Sequence, residues 1–263
     1  VFHGTMASYV ATGFVLAGIY ALAMLRGDRS DYNRRALVLS MAMAAVAIPL
    51  QVISGDFSTR FVANNQPAKF AALEGQFEDE RGAPLRSGGG PDPERGETRF
   101  AIEIPKLASF LAFRDFDAEV RGLNSFPPED RPDPRLEHVS FQIMVASGLY
   151  MLFVSTTFWV VGALKRRLPL GRGMLRLIAT TTPLGFLAIE TGWFVTEFGR
   201  QPWIVWQIMR VSDAATPQSG VIYLLFAFSA VYIALTVALI LLLLMPNLLP
   251  QRRRHRLGAS DVA

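Results

Sequence analysis

Residues 221–245 read VIYLLFAFSAVYIALTVALILLLLM, a run without one charged side chain. A helix crossing a bilayer needs about 20 mostly apolar residues, and this run offers no polar face for a water-soluble core to turn outward. Working outward from it, four further apolar blocks lie at roughly 2–25, 36–54, 139–164 and 174–195, with the quoted run extending over 220–246. The 263 residues are 51% hydrophobic and the mean hydropathy is +0.29, values ordinary for a multi-pass membrane protein. The expected fold is therefore an all-α integral membrane bundle of five transmembrane helices. A long loop separates the second from the third. The expected division is 1–54 for the first two spans, 55–138 for the loop, 139–250 for the last three, and 251–263 for a basic tail.

Charge orients these spans. Arg26, Arg29, Arg34 and Arg35 follow the first block. Lys165, Arg166, Arg167, Arg172 and Arg176 follow the third, and Arg252, Arg253, Arg254 and Arg256 follow the fifth. Only Arg200 and Arg210 follow the fourth. Short basic loops stay on the cytoplasmic side, so the chain is expected to begin outside, end in the cytoplasm, and hold residues 55–138 outside. These clusters read as topology signals, not as nucleic-acid sites. There is no cysteine, which excludes disulfides and thiolate chemistry and leaves His, Met or carboxylates to hold a metal.

The loop carries 11 basic and 16 acidic residues and Gly/Pro-rich stretches such as Ser87-Gly88-Gly89-Gly90-Pro91. Its middle, 78–99, is expected to be mobile. Pro67 to Gln76 predicts a helix with proline in its first turn. Phe100 to Ala112 predicts an apolar segment lying on the membrane surface. Three residues come near one membrane face by helical rise: His3 and Met144 at the outer ends of the first and third spans, Glu190 toward the outer end of the fourth. His and Met suit the axial positions of a low-spin heme, and a carboxylate inside a span is expensive enough to be read as functional. The bland readings are an interfacial histidine, a core methionine, and a glutamate gluing helices.

Four stretches then resemble subunit I of the cytochrome bd quinol oxidases, in the family's order. They are Phe2-His3-Gly4-Thr5-Met6-Ala7-Ser8, Gln66-Pro67-Ala68-Lys69-Phe70-Ala71-Ala72-Leu73-Glu74, Phe141-Gln142-Ile143-Met144-Val145-Ala146-Ser147-Gly148, and Glu190 through Trp203 with its Gly199-Arg200-Gln201-Pro202-Trp203 core. Glu97 through Pro105 adds a weaker match. The resemblance implies that His3 and Met144 are the axial ligands of low-spin heme b and that Glu190 binds the iron of high-spin heme b, next to heme d. It implies that Lys69 and Glu74 serve quinol oxidation on the periplasmic loop, and places Gln142, Arg200 and Trp203 near heme.

The activity so implied is electron transfer from ubiquinol or menaquinol to O2, forming water. The implied partners are subunit II, a small single-helix subunit as a further candidate, and membrane lipid; no nucleic acid. Gln142 departs from the family's common Arg and resembles the cyanide-insensitive, short-loop branch. The family's first four helices, with the heme d histidine, have no counterpart here, and Val1-Phe2-His3 reads as an entry into a larger protein. His138 and His255 are not expected to substitute. A C-terminal part of the subunit, inactive alone, is the expectation. The competing readings are another quinol-linked membrane cytochrome b, or a non-catalytic membrane bundle or transport protein.

Overall fold

The computed structural model describes residues 1–244, so the tail at 251–263 and the last residues of the fifth block lie outside the described residues. The chain divides into two units, Val1–Ala214 and Ala215–Ala263. In the first unit α1 (Phe2–Leu25) and α2 (Asp31–Asn65) form an antiparallel hairpin. Ser30 caps α2, its side chain accepting from the Asn33 amide. Beyond the hairpin come α3 (Pro67–Glu74), the loop strands, α4 (Leu107–Phe113), α5 (Pro134–Lys165), α6 (Arg172–Thr180) and α7 (Leu184–Phe198). The second unit holds α9 (Val221–Leu244), after a single-turn α8 (Val211–Ala214) that closes the first. Among the described residues four helices are long and apolar enough to cross a membrane: α1, α2, α5 and α9.

The expected span at 174–195 is two helices, of 9 and 15 residues, each shorter than the ~20 that a crossing takes. The break has a local cause. Pro183 has no N–H to donate, and the hydroxyls of Thr180, Thr181 and Thr182 turn back onto Leu177, Ile178 and Ala179 carbonyls. Opposite the break stands Gly18 of α1, where a Cβ would collide with Thr182 Oγ1. Small residues fit the remaining contacts of α1. A Cβ on Gly13 would lie 3.1 Å from Ala44 Cβ of α2, and Ala11 fills the space left by Gly185 of α7. Close backbone approach of this kind is how apolar helices associate without a hydrophobic driving force between them. The core proper gathers Phe14, Leu37, Met41, Ile48, Met151, Phe158, Leu175 and Ile178 between α1, α2, α5 and α6.

Helix α2 runs through Pro49 and beyond the expected end at 54 to Asn65, because nothing stops it before Pro67. Ser58, Asn64 and Asn65 bond back to carbonyls one turn earlier, and Asp56 pairs with Arg60 at 3.0 Å. Helix α5 likewise starts before the expected 139, where Asp133 accepts from the Arg135 amide.

The segment 78–99 is not loose. It contains β1 (Glu80–Arg81), β2 (Leu85–Ser87), β3 (Gly90–Asp92) and β4 (Glu97–Arg99). β3 pairs with β4, β2 with β5 (Ile102–Ile104), and β1 with β6 (Glu119–Val120), all antiparallel. Gly88 and Gly89, at φ 70° and 80°, supply the left-handed turn between β2 and β3 that other residues adopt only under strain. Their glycines mark a turn, not disorder. The expected surface segment Phe100–Ala112 divides between β5 and α4, with Ala108 and Ala112 facing inward.

Candidate functional site

His3 sits in the first turn of α1 against α2. Gly55 leaves room for the ring, since a Cβ there would lie 3.3 Å from His3 Cε1. Both ring nitrogens are engaged: Nδ1 at 2.9 Å from Ser54 Oγ and Nε2 at 3.0 Å from the Gln51 amide nitrogen. Ser54 Oγ donates its own hydrogen to the Gln51 carbonyl, so it accepts from Nδ1–H, and Nε2 presents its lone pair to the N–H of the Gln51 side-chain amide. An outer hydrogen bond that fixes tautomer and ring orientation is the usual preparation of a histidine for metal ligation. Gln51 Oε1, beside the ring, is buried without a partner.

Met144 lies on α5, where its sulfur faces Gly192 of α7; a Cβ on that glycine would stand 3.0 Å from Sδ. One turn further on, Gly148 has open space where a Cβ would be. An imidazole and a thioether are the side-chain types of an axial pair for a low-spin heme. Glu190 is exposed on α7 and has no hydrogen bond or ion pair among the described residues. Glu197 lies seven residues on, two turns along the same face.

The loop helix α3 brings the other candidates into place. Pro67 starts it and Gly75, at φ 62°, ends it in the left-handed conformation, a frequent way of closing a helix. Lys69 and Glu74 do not meet. Lys69 Nζ lies 3.9 Å from Glu137 Oε1 on the first turns of α5, and Glu137 is fully buried with neither carboxylate oxygen hydrogen-bonded. Burial holds the Lys69 ammonium below the usual lysine range, against the pull of Glu137. Glu74 is also buried, Oε2 has no partner, and burial pushes its carboxyl up to about 7 despite the charge of Arg86. Arg86 is committed elsewhere, to Gln76, Glu80 and Glu103.

Gly199 closes this site from the end of α7. A Cβ there would collide with Lys69 Cε and Glu137 Oε1. A cavity of about 10 Å³ lies alongside, lined by Gln66, Lys69, Gly199, Gln201 and Trp203, room for roughly one water. Arg200 pairs with Glu197 at 3.8 Å. Trp203 lies on β7 (Trp203–Val205), paired with β8 (Met209–Arg210). Its indole donates to Asp130, which Arg210 also holds at 2.6 Å while stacking over the ring.

Gln142 clasps the loop to α5, accepting from the Gly88 amide and donating to the Arg86 carbonyl. His138 is buried with its nitrogens at 2.7 Å from the Leu73 carbonyl and 3.0 Å from that of Gly88. It tethers the loop and leaves no free position for iron. Reading the sequence alone missed Glu137 and Glu197. Glu137 is two turns before Met144 on one stripe of α5, the signal that was available.

A family model for the cytochrome bd terminal oxidase subunit I matches residues 1–247. The chain is similar to the solved bd oxidase from Geobacillus thermodenitrificans, with a TM-score of 0.80 and 35% identity, over 93% of this chain and 56% of that one. It is 27% identical over 324 residues to the cytochrome bd-II ubiquinol oxidase subunit 1 of Escherichia coli (strain K12), covering 98% of this chain and 62% of that protein. Against the cytochrome bd ubiquinol oxidase subunit 1 of Bacillus subtilis (strain 168) the identity is 27% over 248 residues, covering 89% and 53%. The chain thus belongs to the cytochrome bd terminal oxidase subunit I family, and it spans between half and two thirds of the length of these relatives.

Proposed function

We propose that this chain carries the quinol-oxidising part of the heme-bearing subunit of a terminal respiratory oxidase that reduces O2 to water. Low-spin heme b on His3 and Met144 would supply the one-electron acceptor beside the quinol, and high-spin heme b and heme d the oxygen-reducing centre. The observation that carries this reading is the His3 ring, set by Ser54 with Nε2 as the acceptor nitrogen, its lone pair held by a Gln51 side-chain amide that an iron would displace. Relatives named as ubiquinol oxidases and one whose name specifies a menaquinol oxidase support a quinol as the substrate class, without choosing between the two.

The chain's own residues do the rest. Glu74, at about 7, is matched to take a hydroxyl proton near neutral pH. Lys69 donates to a quinol oxygen and steadies negative charge there. The high-spin heme carboxylate is Glu190 by resemblance, and Glu197 presents the same chemistry two turns away. α6 and α7 together make one interrupted crossing, giving five spans. The basic junctions support a periplasmic start, a periplasmic 55–138 loop and a cytoplasmic end. Subunit II, and a small single-helix subunit, are the partners.

Among the described residues a His–His cytochrome b would have to pair His3 with His138, and His138 is buried with its ring bound to two loop carbonyls. The test is a reduced-minus-oxidised spectrum of the intact complex in membranes. His3→Ala is expected to abolish the low-spin b band; its persistence would refute the assignment. Loss of the high-spin band in Glu190→Gln, or instead in Glu197→Gln, decides between those two carboxylates.

A further inference from the structure

The most conspicuous group outside the roles above is Glu137. It is wholly buried, yet neither of its oxygens finds a hydrogen-bond donor. A buried carboxylate without donors is a costly arrangement, and native proteins seldom keep one without use. At 3.9 Å, Lys69 Nζ is near enough to interact by charge but beyond the 2.7–3.2 Å of an N–H···O bond. The pair is close and unlocked. Lys69 and Gly199 line the water-sized cavity by Trp203, and a Cβ on Gly199 would strike both Lys69 and Glu137.

We propose that Glu137 is a positioning and proton-sharing residue for the quinol reaction, acting through Lys69. The proposal rests on the quinol site assigned above. Glu137 aims the lysine at the cavity. When the Lys69 ammonium meets a hydroquinone oxygen, it passes a proton to the Glu137 carboxylate and takes the hydroxyl proton as the O–H bond breaks, and a water entering the cavity carries the proton held by Glu137 outward. The substrate's two electrons pass to the one-electron acceptor of the established family reaction, so each proton released accompanies one electron. The charged groups facing the pair are Lys69 on α3, and Glu197 and Arg200 at the end of α7. His138, the next residue, points to loop carbonyls instead. Two turns separate Glu137 from Met144 along α5, about 10 Å by helical rise, which keeps proton and electron exits adjacent.

The test uses the intact oxidase in membranes with decyl-ubiquinol as the reductant. Glu137→Gln is expected to lower kcat about 100-fold, the low end for a proton-transfer group, leaving KM within about twofold and moving the pH profile. Glu137→Asp is expected to recover part of the rate. The double variant with Lys69→Met is expected to be no worse than Lys69→Met alone, as for residues acting as one unit. The low-spin heme band reports assembly in each case; should Glu137→Gln fail to assemble, the Glu137→Asp rate and pH profile decide. A Glu137 variant that assembles with an unchanged rate and pH profile, while Lys69→Met is impaired, overturns this proposal and leaves the quinol site standing. Full activity in Lys69→Met overturns both.

Discussion

His3 has a partner for each ring nitrogen, both supplied by the helix that follows it in the chain. Glu74 and Glu137, on the loop helix and the head of α5, keep carboxylate oxygens that no donor reaches. The two regions are polar groups treated in opposite ways. A metal ligand must point in one direction, and hydrogen bonds on its far side hold it there. A group that takes and gives up protons works best when neither of its states is locked, and dry surroundings with one movable neighbour achieve that. Satisfied and unsatisfied polar atoms therefore suit different tasks.

The sharpest way to break this contrast is His3→Ala, for which complete loss of the low-spin band is expected in spectra of the intact complex. A smaller but still large effect concerns Glu74. Its carboxyl is raised from 4.5 to about 7, so the folded loop binds more protons than the unfolded chain. Stability from this group is full below about pH 4.5 and is lost as pH rises through about 7. The 2.5-unit difference amounts to at most about 3 kcal/mol at 1.36 kcal/mol per unit. Hydrogen exchange of α3 amides is expected to quicken across that window, and Glu74→Gln to flatten the dependence; an equally steep slope in the variant would contradict the assigned burial.

Ser54→Ala comes next. It frees the Nδ1–H of His3, and low-spin heme retention under detergent challenge is expected to weaken about tenfold. Unchanged retention would mean the ring is positioned by packing at Gly55 alone. The smallest effect belongs to Gly192→Ala. Its Cβ would stand 3.0 Å from Met144 Sδ, which the flexible thioether can relieve by a few tenths of an ångström. A shift of the low-spin midpoint in redox titration, without loss of the band, is the expected result.

The outer frame was open to reading from apolar runs, since α1 and α9 fall where hydropathy placed them. The interruption at Thr181-Thr182-Pro183 was half visible. Proline announced it, but the hydroxyls returning to their own helix have no hydropathy signature. The loop was misjudged because β2 pairs with β5 and β1 with β6 across intervening chain, and such pairing leaves little trace in local composition. Gly88 and Gly89 then looked like slack when they are the turn. His3 was singled out by its place at the end of a span, and Lys69 and Glu74 through motif resemblance. Glu137 was overlooked because Pro134-Arg135-Leu136-Glu137-His138 resembles a solvated helix start, and its burial comes only from α3 and α7 folding over it.

Gly192 receives the sulfur of Met144, and Gly199 admits Lys69 and Glu137. Seven residues part the two glycines, and seven part Met144 from Glu137, so the antiparallel helices share one register. The bare notches act as a template with a fixed repeat. Inserting a single residue between them would turn one notch away by about 100° and drive a side chain into either the sulfur or the acid. Lineages carrying this arrangement should therefore tolerate changes of residue between positions 192 and 199 far more readily than changes in their number.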